Sequence, residues 1–286
     1  MKKLIASIIA KDEQALIGKC LESIKEVDEI VVLDTGSNDQ TVDICHKHKA
    51  RVFYYRWNDD FAEARNKCLD YCKGDWIFTI DCDEVLKPGG IKVIRDAIDF
   101  AKNKESVFSL LVKTTSEEFY QPRLFRKDNA IYWKDKAHNQ LNRKSDGIIN
   151  ATIEAGISPN HAKDQNRTMR ILKSVLKENP TDARATYFYG RELMRFQMPD
   201  AALYWLQTFI EMSPRTPMQS DAYYRLALCY LELNRDAKAI EALHHSIMVN
   251  ENFTKAWEKL SEITKKEKYL EFARLTSNEN VLSIIY

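Results

Sequence analysis

Residues 76–84 read Trp-Ile-Phe-Thr-Ile-Asp-Cys-Asp-Glu, an apolar run that passes directly into an acidic turn. The run has the length and composition of a buried strand, so Asp81 and Asp83 would lie at the carboxyl edge of a sheet. In open α/β sheets, ligands bind at that edge. Two carboxylates there suit Mg²⁺ or Mn²⁺, which bind through one or two carboxylates together with substrate phosphates. A solvated acidic turn is the alternative, and the neighbouring loops must decide.

The residues on either side of this stretch alternate between short apolar runs and amphipathic segments. The predicted elements are strands at Leu4–Ala10, Ile30–Leu33 and Arg51–Tyr55, and helices at Ala15–Lys25, Thr41–Lys49 and Phe61–Cys72. This order predicts a mainly parallel sheet covered by helices. Because crossovers between parallel strands are right-handed, the loops after Ala10, Leu33 and Ile80 would share one edge.

A different pattern begins after about residue 160, where strand signals end and a helical repeat appears. Small residues and prolines recur at the spacing of a tetratricopeptide unit: Gly190, Ala202, Pro214, Ala227 and Ala239. Small side chains at these positions let paired helices approach closely. We therefore predict an α/β domain over residues 1–162 and an all-α, tetratricopeptide-like domain over residues 163–286, with a first helix at Lys163–Asn179.

The composition is that of an ordinary globular protein of 286 residues, with 44% hydrophobic and 30% charged residues. The net charge of +1 argues against a generally basic surface of the kind that coats nucleic acid. The apolar run Leu4–Ala10 is too short for a membrane span, and six cysteines do not form a disulfide-dense pattern. We expect a cytoplasmic protein with reduced thiols and no membrane span.

The loops after the first predicted strands carry residues that suit a phosphorylated ligand. Ala10-Lys11-Asp12-Glu13 lies where backbone N–H groups at a helix start can meet phosphate, and Asp12 is also a candidate N-cap. Asp34 opens the next turn, where an acid can hydrogen-bond a base or a ribose. That turn has one glycine, so a dinucleotide fingerprint is absent. Arg65 is either a solvated helix charge or a fixed cation for pyrophosphate.

Taken in order, these segments resemble the motifs of glycosyltransferase family 2, in particular bacterial members with C-terminal tetratricopeptide repeats. The segments that carry the resemblance are Ile8–Glu13, Asp28–Asp39, Trp57–Asn66 and Gly74–Glu84. The resemblance implies a GT-A fold, which is Rossmann-like, and transfer of a sugar from a nucleotide-diphosphate donor with inversion at the anomeric carbon. It implies a UDP-sugar as the expected donor, with Mn²⁺ or Mg²⁺ as the metal.

The same resemblance implies roles for individual residues. It assigns donor binding to Ala10, Lys11, Asp12, Glu13, Asp34, Arg65, Asp81 and Cys82. Asp83 would be the direct metal ligand, and His161 resembles the histidine that completes the metal shell in many such enzymes. A metal there would neutralise charge on the leaving diphosphate.

The residues expected to activate the acceptor depart from the family pattern. Gln121–Arg126 and Ala137–Leu141 also resemble family motifs, but relatives usually have His-Glu where this chain has His138-Asn139. Inverting transfer needs a base for the acceptor's proton, and Asn139 cannot supply one if the family glutamate does so. Asp135 or His138 would then serve. A structural role for His138 is the alternative.

The sequence is compatible with several classes of acceptor. A peptide or protein, a cell-surface glycan and a modified nucleic acid all fit a helical-repeat surface. Residues 123–170 are locally basic and would suit a phosphate-bearing acceptor, with a solvated face as the alternative. The alternative function is a catalytically weak nucleotide-sugar-binding module whose repeats recruit a protein.

Overall fold

The computed structural model of the chain describes residues 2–115, 117–159, 163–212 and 217–277. The chain divides into two compact units, and the boundary falls between Gln165 and Asn166. Within the described residues, the first unit combines a large sheet with helices, and the second unit is built of helices alone. This agrees with the predicted fold class.

The first unit alternates strands and helices along its amino-terminal half. Its strands are β1 Leu4–Ala10, β2 Glu29–Asp34, β3 Arg51–Tyr54, β4 Trp76–Thr79, β5 Glu84–Leu86, β6 Val107–Lys113, β7 Glu118–Arg126, β8 Trp133–Lys134, β9 Gln140–Leu141 and β10 Gly147–Ala155. Its helices are α1 Ile17–Ser23, α2 Thr41–Lys47, α3 Phe61–Tyr71 and α4 Gly90–Phe100. The predicted elements up to β4 are present, with ends that differ by a few residues.

Eight of these strands form one sheet, in the order β3-β2-β1-β4-β7-β6-β10-β5. The neighbours of β1, β2 and β3 run parallel, as predicted, whereas β7 runs antiparallel to both β4 and β6, and β5 antiparallel to β10. Strands β8 and β9 pair separately as a short antiparallel hairpin. The antiparallel half of the sheet was not predicted from sequence.

The sheet has to curl. Four strand spacings separate β4 from β5 in the sheet order, which is about 19 Å in a flat sheet. The chain between Thr79 and Glu84 can span at most about 18 Å when fully extended. The far edge of the sheet therefore bends back toward the end of β4, and residues 80–83 cross this gap.

Both faces of the sheet are buried. Along β1, Leu4, Ala6 and Ile8 belong to one apolar cluster, and Ile5 belongs to a second cluster with Val31. Successive side chains of a strand point to opposite faces, so this division places a packed layer on each side of the sheet. A parallel sheet needs burial on both faces, which explains why its strands read as continuous apolar runs.

The second unit follows the helical repeat seen in the sequence. Its helices are α5 Arg167–Glu178, α6 Ala183–Arg195, α7 Pro199–Met212, α8 Pro217–Glu232, α9 Asp236–Val249, α10 Thr254–Thr264 and α11 Glu267–Ser277. A Cβ atom at Gly190 would lie 3.0 Å from the Leu206 side chain, so α6 and α7 approach closely there. Ala202, Ala227 and Ala239 are fully buried. Pro214 lies outside the described residues.

Two further expectations concern membrane spans and the state of the thiols. Among the described residues, none of the helices has the length and apolar character needed to cross a membrane. The six cysteines are free and buried.

Candidate active site

The carboxyl ends of three parallel strands meet at one edge of the sheet. In the β1–β2 ladder Ala10 lies opposite Asp34, and in the β1–β4 ladder Ser7 lies opposite Thr79. The loops that follow β1, β2 and β4 therefore leave the sheet side by side. These loops contain most of the residues that the sequence assigned to donor binding.

The loops after β1 and β2 hold each other in place. The backbone N–H of Asp12 donates to Ser37 Oγ at 2.8 Å, and Asn38 N–H donates to Asp12 Oδ1 at 2.7 Å. Asp12 has a φ of 55°, and α1 begins only at Ile17. The alternative role of Asp12 as the cap of the first helix is therefore excluded, because its carboxylate fixes the neighbouring loop instead. These two hydrogen bonds fix the loops after β1 and β2 relative to each other at this edge of the sheet.

A cavity of about 520 Å³ opens beside these loops. Its lining residues come from the ends of β1, β2 and β3: Lys11, Asp34, Thr35, Gly36, Tyr54, Tyr55, Arg56 and Trp57. The Asp34 carboxylate accepts hydrogen bonds from the backbone N–H groups of Gly36 and Ser37, both at 3.0 Å. Gly36 has a φ of 105°, a conformation that favours glycine, so this turn depends on it.

The wall formed by residues 54–57 was missed at the level of sequence. Tyr54 is 68% exposed, and the Trp57 indole is held by a hydrogen bond from Nε1 to Asp59 Oδ1 at 2.9 Å. The available signal was their position, because they directly follow a strand parallel to β2. The cavity thus combines aromatic walls with a lysine and an aspartate.

Asp81 lies in a network of four charged side chains. Arg65 Nη2 donates to Asp81 Oδ1 at 2.6 Å, and Arg123 Nη1 lies 3.5 Å from Asp81 Oδ2. Arg123 also forms an ion pair with Glu84, whose Oε2 accepts the backbone N–H of Asp81 at 2.8 Å. Arg65, Glu84 and Arg123 are all less than a tenth exposed. The two guanidinium groups face two acids, which makes burial of Arg65, Glu84 and Arg123 beside the partly exposed Asp81 tolerable.

The network separates the pKa values of its two acids. Burial opposes ionisation of Asp81, but the charges of Arg65 and Arg123 outweigh it and hold the pKa of Asp81 below its usual range. Burial raises the pKa of Glu84 to about 7, despite the attraction of Arg123, and the charge of Asp81 adds to the rise. Asp81 is therefore ionised at neutral pH and serves as the anchor for both guanidinium groups.

Arg65 keeps hydrogen-bonding capacity beyond this anchor. Its Nε and Nη1 atoms are buried and have no hydrogen-bond partner within the described part of the chain. The guanidinium carbon lies 4.9 Å from the centre of the Trp133 ring, so the group is sandwiched between a carboxylate and an aromatic face. Buried polar groups are normally paired, so these donors mark a place where an anion can bind.

Asp83 begins the return of the chain toward β5. Its backbone oxygen accepts the N–H of Gly156 at 2.7 Å, and a Cβ atom at Gly156 would lie 2.7 Å from that oxygen. A glycine is thus required for the strand end of β10 to approach Asp83. The thiol of Cys82, in contrast, points into the core and donates to the Ile9 carbonyl at 3.2 Å.

The Asp83 carboxylate fits a divalent cation that takes its remaining oxygen ligands from a bound substrate. Among the residues that the structure describes, no group of three His, Cys, Asp or Glu side chains forms a complete cage. Mg²⁺ usually binds through one or two carboxylates and substrate phosphates, and one partly exposed carboxylate at a ligand-binding edge meets that pattern. His161, the second predicted ligand, lies outside the described residues.

The predicted catalytic residues lie in the tight loop between β8 and β9. Asp135 and His138 have φ angles of 72° and 49°, and Asp135 Oδ2 accepts a hydrogen bond from Gln140 Nε2 at 2.9 Å. Asn139 precedes β9 directly. Glu13, from the loop after β1, accepts a hydrogen bond from Ser158 Oγ at 2.6 Å and so ties that loop to the segment after β10.

Comparison with known proteins gives a consistent family. The family model described as glycosyl transferase family 2 matches residues 6–156. The glycosyltransferase SunS encoded by the SPbeta prophage of Bacillus subtilis strain 168 is 27% identical over 266 residues, which is 87% of this chain and 63% of SunS. This chain thus spans less than two thirds of the length of SunS.

An uncharacterised glycosyltransferase of Rickettsia felis is 33% identical over 234 residues, covering 72% of this chain and 77% of that protein. Among solved structures, residues 1–349 of TarS from S. aureus, in complex with UDP-GlcNAc, align at 16% identity with a TM-score of 0.48. That alignment covers 88% of this chain and 91% of the TarS chain.

Proposed function

The chain belongs to glycosyltransferase family 2, and we propose that it transfers a sugar from a UDP-sugar to an acceptor, in a metal-dependent reaction that inverts the anomeric carbon. The observation that carries this proposal is Arg65, whose unsatisfied buried donors lie beside an ionised Asp81 at the ligand-binding edge of the sheet. A diphosphate is an anion that can accept from these donors.

The carboxyl edge of the sheet would bind the two parts of the donor separately. The cavity lined by Lys11, Asp34 and Tyr54 would take the nucleoside, because it offers aromatic surface together with a fixed carboxylate. Arg65 would bind the diphosphate. Asp83 would hold Mn²⁺ or Mg²⁺ together with oxygen atoms of the diphosphate. When bound, the cation stabilises the negative charge that develops on the leaving diphosphate.

The acceptor's proton must go to a residue on the other side of the donor sugar. Asn139 has an amide in the position where a carboxylate is expected, and an amide does not accept a proton at neutral pH. Asp135 and His138 are the two groups of the same loop that can, and we assign the role of base to this pair. The hydrogen bond from Gln140 keeps the Asp135 carboxylate oriented.

The second unit would bind the acceptor. Arrays of helix pairs present extended surfaces that suit peptides and proteins, and glycans or modified nucleic acids are further acceptors of this proposal. The net charge of +1 favours an acceptor that does not depend on a generally basic surface.

The test uses purified full-length protein and a panel of UDP-, GDP- and dTDP-sugars with Mn²⁺, Mg²⁺ or EDTA. We expect one UDP-sugar to bind in calorimetry and to be hydrolysed slowly without acceptor, and both signals to fall at least tenfold with EDTA. Asp83→Asn should abolish hydrolysis. Asp146→Asn, which alters a carboxylate at the opposite edge of the sheet, is the matched control and should retain it.

Two results would contradict the proposal. Binding of a UDP-sugar with no turnover towards water or any acceptor would favour the nucleotide-sugar-binding module instead. Turnover that persists in EDTA and in Asp83→Asn would remove the metal from the mechanism.

A further inference from the structure

The Asn66 side chain forms a two-point clamp on the backbone of Trp133. Asn66 Nδ2 donates to the Trp133 carbonyl at 2.8 Å, and the Trp133 N–H donates to Asn66 Oδ1 at 2.8 Å. The amide thereby pairs with one residue of β8 as a neighbouring strand would. Trp133 is only 4% exposed, so water does not replace these bonds easily.

This clamp fixes the hairpin that carries the predicted base. Strands β8 and β9 have two residues each, too few to hold their loop in one conformation by themselves. The loop contains Asp135 and His138, two non-glycine residues with positive φ, and such conformations persist only where the surroundings impose them. A third bond supports the loop, from the Phe61 N–H to the Lys136 carbonyl at 2.9 Å.

The same helix, α3, also supplies the cation of the donor site. Arg65 precedes Asn66 in the chain, donates to Asp81 and lies over the indole ring of Trp133. One turn of α3 therefore holds both the diphosphate side and the acceptor side of the proposed reaction. The distance between them is set by a rigid element, which is what a two-substrate reaction requires.

We propose that Asn66 is a positioning residue that places the loop of Asp135, His138 and Asn139 against the donor site through its clamp on Trp133. The inference rests on the proposed function, because it gives that loop its role. Asparagine suits the clamp because its side chain has a donor and an acceptor side by side. Aspartate has the same shape but turns a charged oxygen toward the Trp133 carbonyl.

The chain offers a matched control in the same hairpin. Asn142 Oδ1 accepts the Tyr132 N–H at 3.0 Å, and Asn142 Nδ2 donates to the Ala130 carbonyl at 2.8 Å. This second clamp stabilises the entry to the hairpin but does not connect it to α3. Asn66→Asp and Asn142→Asp are therefore the same chemical change, but only Asn66 connects the hairpin to the helix that carries Arg65.

The experiment compares both variants with wild type in the full chain by three measurements. These are UDP affinity with Mn²⁺, the rate of UDP-sugar hydrolysis between pH 5 and pH 8.5, and hydrogen exchange of residues 131–141. For Asn66→Asp we expect UDP affinity within twofold of wild type, at least tenfold faster exchange of this segment, and at least a tenfold lower kcat without a rise in the donor KM. Acidification should narrow the difference in kcat from wild type at the same pH, because the introduced carboxyl group regains a donor for the Trp133 carbonyl once it is protonated. Asn142→Asp should keep kcat within threefold at every pH.

Equal kcat values for the two variants would overturn the inference, as would an Asn66→Asp defect that is independent of pH. Exchange that accelerates throughout the first unit would show general destabilisation and would also overturn it. If wild type itself hydrolyses none of the sugars, the proposed function fails, whereas the exchange measurement still tests the clamp.

Discussion

Each unit of the molecule contains an aspartate paired with arginine in a largely buried network, and the two networks differ in how many of their polar atoms have a partner. In the helical unit, Asp221 Oδ2 accepts from the Tyr187 hydroxyl and from Arg225 Nε, and Arg225 Nη2 lies 3.4 Å from Asp221 Oδ1. Both oxygens of this carboxylate therefore have a partner within the described chain. At the sheet edge, Asp81 is paired in the same way, but Arg65 retains donors that no described residue accepts.

This difference distinguishes a stabilising network from a binding network. The Tyr187 network is closed on itself, and burial together with the charge of Asp221 raises the pKa of the Tyr187 hydroxyl, so it stays a neutral donor. The Asp81 network lies at the strand ends, where ligands of α/β sheets bind, and it contains donors that no described residue accepts. Leaving buried donors unsatisfied costs stability, and a ligand that accepts from them recovers that cost.

The largest effect is expected from Arg123→Met, which removes the central cation of the Asp81 network. Arg123 is 3% exposed and faces both Glu84 and Asp81, so its loss leaves the buried Glu84 without a cation and Asp81 with Arg65 alone. We expect the free energy of unfolding to fall by about 3–5 kcal/mol and UDP-sugar hydrolysis to disappear. Urea denaturation and the hydrolysis assay measure the two effects.

Two further variants control this prediction. Arg143→Met removes an arginine that is about half exposed and should change stability by no more than about 0.5 kcal/mol. Adding Glu84→Gln to Arg123→Met removes the carboxylate that has lost its cation and should restore part of the lost stability. If the double variant is no more stable than the single one, the network does not act through charge balance.

The closed network is tested by Asp221→Asn. The substitution keeps the shape of the side chain but removes the charge that Arg225 and Tyr187 face, and we expect a loss of about 3 kcal/mol in unfolding free energy. Because this network offers nothing to a ligand, UDP affinity should stay within twofold of wild type. A large loss of UDP binding would contradict the distinction between the two networks.

The sequence predicted the first four strands, their shared edge and the helical second half, because these follow from apolar runs and a repeat that are local in the chain. It did not predict the antiparallel strands β5 and β7 or the ion pair between Glu84 and Arg123. These two side chains are 39 positions apart and meet because β7 pairs with β4, which ends five residues before Glu84. No local pattern encodes such a contact.

The candidate site shows the same division. Asp34, Arg65, Asp81 and Asp83 were identified because each follows a strand or belongs to a recognisable motif. The roles of Asn66 and of the cavity wall at Tyr54 depend on backbone hydrogen bonds and on packing that only three-dimensional structure reveals. The sequence could not separate capping from loop bridging as the structural role of Asp12, because both use the same carboxylate hydrogen bonds.

A milder change, Arg65→Lys, separates the two functions of the Asp81 network. Lysine can still pair with Asp81 as a point charge but lacks the flat fork of donors and the stacking on Trp133. We expect stability to change by about 1 kcal/mol and UDP affinity to fall about tenfold, the equivalent of about 1.4 kcal/mol. Calorimetry with UDP and Mn²⁺ measures the second effect.

Arg126→Lys provides the matched control. The Arg126 guanidinium also stacks on a tryptophan, 4.6 Å from the Trp76 ring centre, and donates to the Glu105 carbonyl at 2.7 Å, but at the opposite edge of the sheet. Its replacement should leave UDP affinity unchanged. If both lysine variants weaken UDP binding equally, the effect reflects general packing and Arg65 has no special role.

The smallest effect is expected at Asp146, an exposed residue whose carboxylate is stabilised by backbone N–H groups and by Arg143 and lies at the edge opposite the candidate site. Burial opposes its ionisation, but the N–H groups of Ser106 and Val107, at 2.8 and 3.0 Å, outweigh burial and lower the pKa of Asp146. An acid with a lowered pKa in the folded state stabilises the fold above its unfolded pKa and loses that contribution as the pH falls through the folded value. Asp146→Asn should therefore cost about 1 kcal/mol at pH 7, and the difference from wild type should close as the pH drops below about 4. Urea unfolding at several pH values measures this, and a difference that does not change with pH would show that charge is not the cause. UDP affinity should not change, because Asp146 lies at the edge opposite the candidate site and pairs there with Arg143 and with the N–H groups of Ser106 and Val107.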